Sequence, residues 1–274
     1  MSRGLLWMLP ALLMIGLLYG APLLRLALLS FGESEWTLTS YRELFEMWSY
    51  GGTLLRTLRI SILVVIGCLI FGYPLGYVLA FASAQWRLAL SLLVVLPFWT
   101  SILVRNFAWI YLLRDQGALS TAAGWLSPSG EPAELIYNET GVVIAMVSTL
   151  LPFMIFPVFL SLISQSRDLR EAAAGLGASP ARMFLSITLP LSVRGILGGS
   201  LLVFATAVGF FVTPALLGGG RVLTAATFIS QQIDEYLNWP LAAAASMLLL
   251  AVMLVLGAVY RRACPDQVDH GNAS

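Results

Sequence analysis

The sequence predicts an all-α membrane protein with about six transmembrane helices, and three observations predict it. Hydrophobic residues make up 59% of the 274 residues and charged residues only 11%, whereas a soluble domain is usually about one quarter charged. Six apolar stretches are long enough to cross about 30 Å of hydrocarbon, which takes roughly 20 residues of helix. The stretches are too long and too evenly apolar for the alternating strands of a barrel. Backbone groups in lipid must bond within their own segment, so the runs read as helices.

The stretches run from about Leu5 to Leu24, Ile60 to Ala84, Leu88 to Leu113, Gly141 to Ser164, Ile196 to Leu217 and Pro240 to Tyr260. The first carries Arg3 ahead of an apolar core longer than a signal peptide's, and no small-x-small cleavage site follows, so it is expected to remain as a helix. The second contains Gly72-x-x-x-Gly76, a spacing that permits close helix contact, and Pro74 within it predicts a kink. The third is interrupted by Arg105. In the fifth, Pro214 and Gly218 to Gly220 are expected to break or end the helix near the outer surface, as a hinge, a gate or a simple turn.

Arginine placement sets the orientation. With the N-terminus inside, the cytoplasmic segments hold Arg3, Arg87, Arg167, Arg170, Arg182, Arg194, Arg261 and Arg262, and the outer loops hold Arg42, Arg114 and Arg221, with Arg25, Arg56 and Arg59 near that side. This excess of basic residues inside places both termini in the cytoplasm. Trp36, Trp48, Tyr50, Trp125, Tyr137, Tyr236 and Trp239 fall near the outer helix ends, where aromatic rings favour the interface. The outer loops are about 31–53 and 114–140, the latter turn-rich through Pro128, Gly130 and Pro132.

Several chemistries are excluded. The sequence has no lysine, so it cannot supply the Lys of a nucleotide-binding loop or any Schiff-base amine. If ATP drives this chain, another subunit binds the nucleotide. Cys68 and Cys264 make neither a metal site nor an expected disulfide, and His270 reads as a solvated tail residue. A net charge of +1 offers no field for nucleic acid. The spans contain no Asp or Glu, which weighs against a proton-coupled carrier. No catalytic constellation is visible.

The most informative segment lies between the fourth and fifth stretches, from about Gln165 to Arg194. Asp168 is placed as an N-cap with Glu171 three residues later, a capping-box spacing. Leu169 to Ala174 are helix formers. Gly177 is placed to end the helix, and Ser179-Pro180 signals a second start. A short helix, a tight turn and a second helix leading into the membrane are expected. The segment is either a well-capped connector or a docking element whose small residues let another protein approach.

Glu171-Ala172-Ala173, Gly177-Ala178, and Ile187, Leu189 and Pro190 resemble the EAA motif of binding-protein-dependent ABC importer permeases: E-A-A, three residues, G, nine residues, I-x-L-P. The resemblance covers about residues 51–262. It implies residues 1–50 as an N-terminal helix and outer loop, 51–262 as a type-1 ABC importer transmembrane domain with a coupling loop at 165–190, and 263–274 as a cytoplasmic tail. It implies that Glu171 lies at or near the contact with the ATPase and that Gly177 permits the turn. Leu96-Pro97-Phe98-Trp99-Thr100, then Arg105, Trp109 and Gly117, the run Phe211 to Gly219, and Asn238-Trp239-Pro240 further resemble the first permease of the spermidine/putrescine group. The partners implied are a second homologous permease subunit, an ATPase dimer carrying ATP and Mg, an extracytoplasmic solute-binding protein and a small polar solute. The chain itself would be non-catalytic and without cofactor, a multi-pass protein of a bacterial inner membrane.

Within that frame Phe98, Trp99, Arg105 and Trp109 are candidates for the translocation path, and Pro214, Gly218 and Gly219 for a hinge or gate. The aromatics read either as cation–π partners for an amine or as ordinary packing. Arg105 reads as a path residue, a packing residue bonded to backbone carbonyls, or a side chain snorkelling to the interface. An unpaired Arg105 would repel a cationic polyamine, which argues for packing or for an anionic or zwitterionic solute. A stand-alone secondary carrier, which has no reason to carry the EAA spacing, and a membrane enzyme or assembly scaffold, which adjacent reading frames for an ATPase and a secreted binding protein would argue against, are the competing readings.

Overall fold

The computed structural model describes residue 10 and residues 13–32, 37–46, 48–125 and 134–263. The start of the first stretch, Trp36, Pro128, Gly130, Pro132, Cys264 and His270 lie outside the described residues. Regular structure among those described is helical throughout. In chain order it comprises α1 (Leu13–Leu29), α2 (Thr39–Glu46), α3 (Trp48–Phe81), α4 (Ala84–Val95) running into a 3-10 turn (Leu96–Trp99), α5 (Ile102–Leu113) and α6 (Ala118–Trp125). There follow α7 (Glu139–Ile163), α8 (Arg167–Gly175), α9 (Pro180–Val208), α10 (Val212–Leu217), α11 (Ala225–Asp234) and α12 (Trp239–Ala263). Four of these, α3, α7, α9 and α12, are long and apolar enough to cross a bilayer alone, and a bent pair within 84–125 would make a fifth. Against the six expected, α1 is apolar but shorter over its described length.

The helices fall into two compact units, residues 56–224 and residues 1–55 with 225–274. In the first unit α7 is the central element. Val142, Ala145, Met154, Val158 and Leu162 on it are fully or almost fully buried. Its neighbours approach closely because they present glycine. A Cβ on Gly72 of α3 would stand 2.9 Å from Met154 Cγ, and one on Gly76 would stand 3.0 Å from Val158 Cγ1. The Gly72-x-x-x-Gly76 contact is therefore α3 against α7, and α3 continues as one helix through Pro74. On the other flank α9 offers Gly195-x-x-x-Gly199, which the sequence reading did not single out. A Cβ on Gly195 would meet Pro157 O and Ser161 Cβ at 2.5 Å, and one on Gly199 would meet Met154 Sδ at 2.9 Å. In lipid, where burial of apolar surface does not itself drive helices together, close backbone approach of this kind is the main source of association. At the amino ends of α3 and α7, Arg56 Nε lies 3.1 Å from a Glu139 carboxylate oxygen, and Arg59 pairs with the other oxygen.

Two expected spans are corrected. The third is not a straight helix: α4 and its 3-10 turn end at Trp99, α5 begins at Ile102, and the two parts are bent by 98°. Pro97 removes a backbone donor from the last turn of this helix, Leu96 ahead of it stays helical, and the chain leaves helical backbone at Thr100 and Ser101. The fifth starts earlier and stops sooner than expected. α9 runs unbroken from Pro180 to Val208 and ends at Gly209. Pro214 breaks nothing: it stands in the first turn of the separate helix α10, where proline is tolerated because its missing N–H has no intrahelical partner.

In the second unit α12 packs against α1, α2 and α11. Tyr50, expected at the interface, is 2% exposed. Its hydroxyl donates to Ala245 O at 3.1 Å and its ring lies 5.1 Å from that of Phe228. Trp125, Tyr137, Tyr236 and Trp239 are exposed, as interfacial anchors would be.

Candidate functional site

The segment between α7 and α9 is built from local bonding. Ser166 is extended and its hydroxyl accepts the Asp168 N–H at 3.2 Å, so Ser166, not Asp168, is the N-cap of α8. Asp168 already has helical backbone and instead places its charge in the first turn, where it complements the helix dipole. At the other end Gly177 has φ +79°, Ala178 N–H donates to Ala173 O at 3.0 Å and Gly177 N–H to Ala174 O at 2.9 Å. That pair of bonds is a Schellman closure, and it requires left-handed backbone at Gly177. Ser179 then caps α9 by accepting the Arg182 N–H at 3.3 Å, with Pro180 at the first position. The stop at Gly177 and the start at Ser179-Pro180 are as expected.

The segment has an anchored side and an open side. On the anchored side the Arg170 guanidinium lies 4.5 Å over the Phe81 ring at the end of α3, and Gln165 Nε2 donates to Thr188 O at 3.2 Å. Phe184 stands edge-on to Tyr73 and Tyr77, with centroids 6.1 and 5.7 Å away, and the Tyr73 and Ser192 hydroxyls are 3.1 Å apart. Ile187 and Leu189 are half-buried beside these contacts, and Pro190 is exposed. The open side carries Glu171, Ala172 and two side chains the sequence reading missed, Leu169 at 52% and Leu176 at 89% exposure. Leu169, Ala172, half-buried Ala173 and Leu176 follow the spacing of one helix face. That periodicity was the available signal. The stripe therefore leaves apolar side chains uncovered within this chain.

The path and gate candidates cluster around the two helix breaks. Phe98, Trp99 and Arg105 come together at the first. Phe98 packs edge-on against Phe153 of α7 at 5.6 Å, and Trp99 is exposed. Arg105 donates to Pro97 O and, at 3.0 Å, to Thr100 Oγ1, which satisfies the backbone released by the break. Trp109, one turn further along α5, packs on the core of the unit. At the second break Pro214 and Gly218 are buried, while Gly219 takes φ +54° beneath the Tyr137 ring, where a Cβ would lie 2.7 Å from Cγ. The two regions are joined by a pair that sequence reasoning missed. Thr213 Oγ1 donates to Asn106 Oδ1 at 2.9 Å, and both residues are buried. A cycle of Asn106→Leu and Thr213→Val should show a coupling of about 0.6 kcal/mol, and no more than ~1.7, in detergent unfolding. Strict additivity would show that the bond does not tie the segments.

Among the described residues no cluster of three His, Cys, Asp or Glu side chains is placed to hold a metal.

Together these features define a polytopic helical membrane protein with a short capped helix between its spans α7 and α9. Residues 72–264 match the binding-protein-dependent transport system inner membrane component family, and the chain belongs to it. It is 35% identical over 234 residues to the spermidine/putrescine transport system permease protein PotB of Escherichia coli (strain K12), covering 85% of each chain. It is likewise 35% identical over 227 residues to PotB of Haemophilus influenzae, covering 83% of this chain and 79% of that one. Its fold is similar, at TM-score 0.77 and 18% identity, to that in a crystal structure of a bacterial alginate ABC transporter with an alginate pentasaccharide-bound periplasmic protein, covering 93% of this chain and 91% of that chain. The protein is a multi-pass inner-membrane permease subunit of an ABC importer with the type-1 transmembrane fold.

Proposed function

We propose that this permease carries a polyamine, spermidine or putrescine, inward, and that α8 is the coupling helix through which a separate ATPase drives it. The observation that carries the coupling is the exposed stripe of Leu169, Ala172 and Leu176, with half-buried Ala173 beside it, on a helix held against the bundle by Arg170 and Phe184. Glu171, Ala172, Ala173, Gly177 and Ala178 form the docked turn, and Ile187, Leu189 and Pro190 begin the helix that receives its motion. ATP and Mg bind the partner ATPase dimer, a second permease completes the pore, and an extracytoplasmic binding protein delivers the solute. Six spans with both termini in the cytoplasm, a coupling loop at 165–190 and a tail at 263–274 complete the layout. The ligand affinities of inward- and outward-open states must differ for transport to occur, and ATP supplies that difference through the partner.

The polyamine reading draws on the names of the relatives. Arg105 does not oppose it as a bare cation would, because its guanidinium faces the carbonyl and hydroxyl oxygens of Pro97 and Thr100. Phe98, Trp99 and Trp109 then remain as the path's amine-stacking candidates, with Pro214, Gly218 and Gly219 at the gate. The test is reconstitution in vesicles with the second permease, the ATPase and the binding protein. Glu171→Lys or Gly177→Asp is expected to abolish spermidine uptake while the chain still inserts. Uptake at the wild-type rate by this polypeptide alone, or full ATPase recovery and activity with both variants, would overturn the coupling. Uptake of an anionic solute in place of spermidine would overturn the substrate.

A further inference from the structure

We propose that a cavity beside α8 binds the headgroup of an anionic phospholipid, phosphatidylglycerol in character, from the cytoplasmic leaflet. The cavity measures about 360 Å³ and lies among the end of α3, the first turn of α4, the end of α7 and α8. Among the described residues its lining includes two cations, Arg87 and Arg170, and no carboxylate. Neither forms an ion pair among the described residues. Arg87 donates through Nε to Leu79 O at 3.2 Å and through Nη2 to Ala80 O and Ala82 O at 3.1 and 3.2 Å, which caps α3 and leaves Nη1 for a ligand. Arg170 rests on Phe81, and its Nε is buried without an acceptor. Gln165 gives Nε2 to Thr188 O, and its Oε1 is buried without a donor. The vacant functions are therefore two cationic donors and one acceptor. A phosphodiester answers the first, and a glycerol hydroxyl answers the second.

A second observation extends the site into the membrane. A separate apolar groove of about 200 Å³ lies between the same three spans, lined by Leu75, Leu79, Leu90, Val94, Leu151 and Ile155 among others. Its residues continue the faces that line the cavity. On α4, Arg87, Leu90 and Val94 are spaced three and four residues apart, and on α7, Leu151, Ile155 and Leu162 are spaced four and seven apart, so each set shares one side of its helix. A charged pocket over an apolar groove between spans suits a lipid with its phosphate above and an acyl chain below. The occupant thereby touches α8 through Arg170, so lipid charge would bear on the stability of the coupling segment.

The proposal rests on the cytoplasmic placement of α8 given above. It is tested by native mass spectrometry of the complete complex, extracted from vesicles of equal phosphatidylglycerol and phosphatidylcholine, with the recovered ATPase recorded in the same sample. Wild type should retain phosphatidylglycerol over phosphatidylcholine by about thirtyfold, as two basic contacts supply. Arg170→Gln, which removes no helix cap, should lower that preference about fivefold. Leu90→Trp should lower retention by filling the groove without touching the charge. Retention in the input ratio, or an Arg170→Gln variant that selects like wild type, overturns the proposal. So does displacement by glycerol phosphate alone, which would make this a soluble-anion site, or phosphatidylglycerol retained only when the ATPase is absent, which would make it a protein contact. Failure of wild type to recover the ATPase, with its lipid selection intact, would count against the coupling reading and leave this one standing.

Discussion

Leu176→Asp is expected to release the ATPase and stop uptake while the membrane bundle stays folded. Leu176 caps α8 at 89% exposure, so within this chain the substitution removes almost no packing, and a surface change of that kind usually lies within about 0.5 kcal/mol. In a docked complex the same position becomes buried. An unpaired carboxylate there costs about 3–5 kcal/mol, which is roughly 150-fold or more in dissociation constant. The split between unchanged thermal stability and lost ATPase is the signature, read by melting the purified permease and by co-purification. Gly177→Val should give a weaker version by another route, since a β-branched residue at φ +79° costs about 1–2 kcal/mol and distorts the turn itself. If Leu176→Asp binds the ATPase as wild type does, the open side of α8 is not the docking face.

Gly195→Ala is the second large effect, and the molecule supplies its own control. The added methyl would meet the Pro157 carbonyl oxygen and Ser161 Cβ at 2.5 Å. The obstruction is backbone as well as side chain, so α9 must move away from α7. Overpacking of this sort costs about 1–3 kcal/mol, and here it separates the helix leading from α8 from the central helix of the unit. Gly198→Ala lies one turn away, where the new Cβ has nothing within 4 Å, and it should be neutral or slightly stabilising through helix propensity. Unfolding midpoints in detergent should fall for Gly195→Ala and hold for Gly198→Ala. Equal behaviour of the two variants would mean that the α7–α9 contact is not close-packed.

The turn between α8 and α9 was legible in the sequence because its signals are local. A left-handed stop at Gly177 and a Ser-Pro start need no tertiary context. The cap moved from Asp168 to Ser166 because both residue types can cap and only the backbone decides between them. The bend in the third span was not legible from hydropathy, which measures how apolar a stretch is and not which way it runs. Leu88 to Leu113 is apolar on both sides of Pro97, so the 98° bend leaves no trace in composition. Tyr50 was misplaced for a related reason: an aromatic ring near a span end suits the interface equally well as a buried contact, and its bond to Ala245 joins residues 195 positions apart. Gly195 and Gly199 had the same spacing as Gly72 and Gly76, so that contact could have been found. Asn106 and Thr213 could not, because a buried polar pair is a fact of assembly.

One joint in α9 has a mechanical consequence. Residues Phe184–Thr188 form a π-helical turn, a widened turn that holds one residue more than the α-helical ladder requires. The helix as a whole has 29 residues and so spans about 44 Å, well beyond the ~30 Å of hydrocarbon. Under the coupling proposed above, the excess would serve as a crank arm, with the π-helical turn near its root and the Gly177 elbow at its handle. A widened turn at that place would let the arm be pushed sideways and the shaft turn with it.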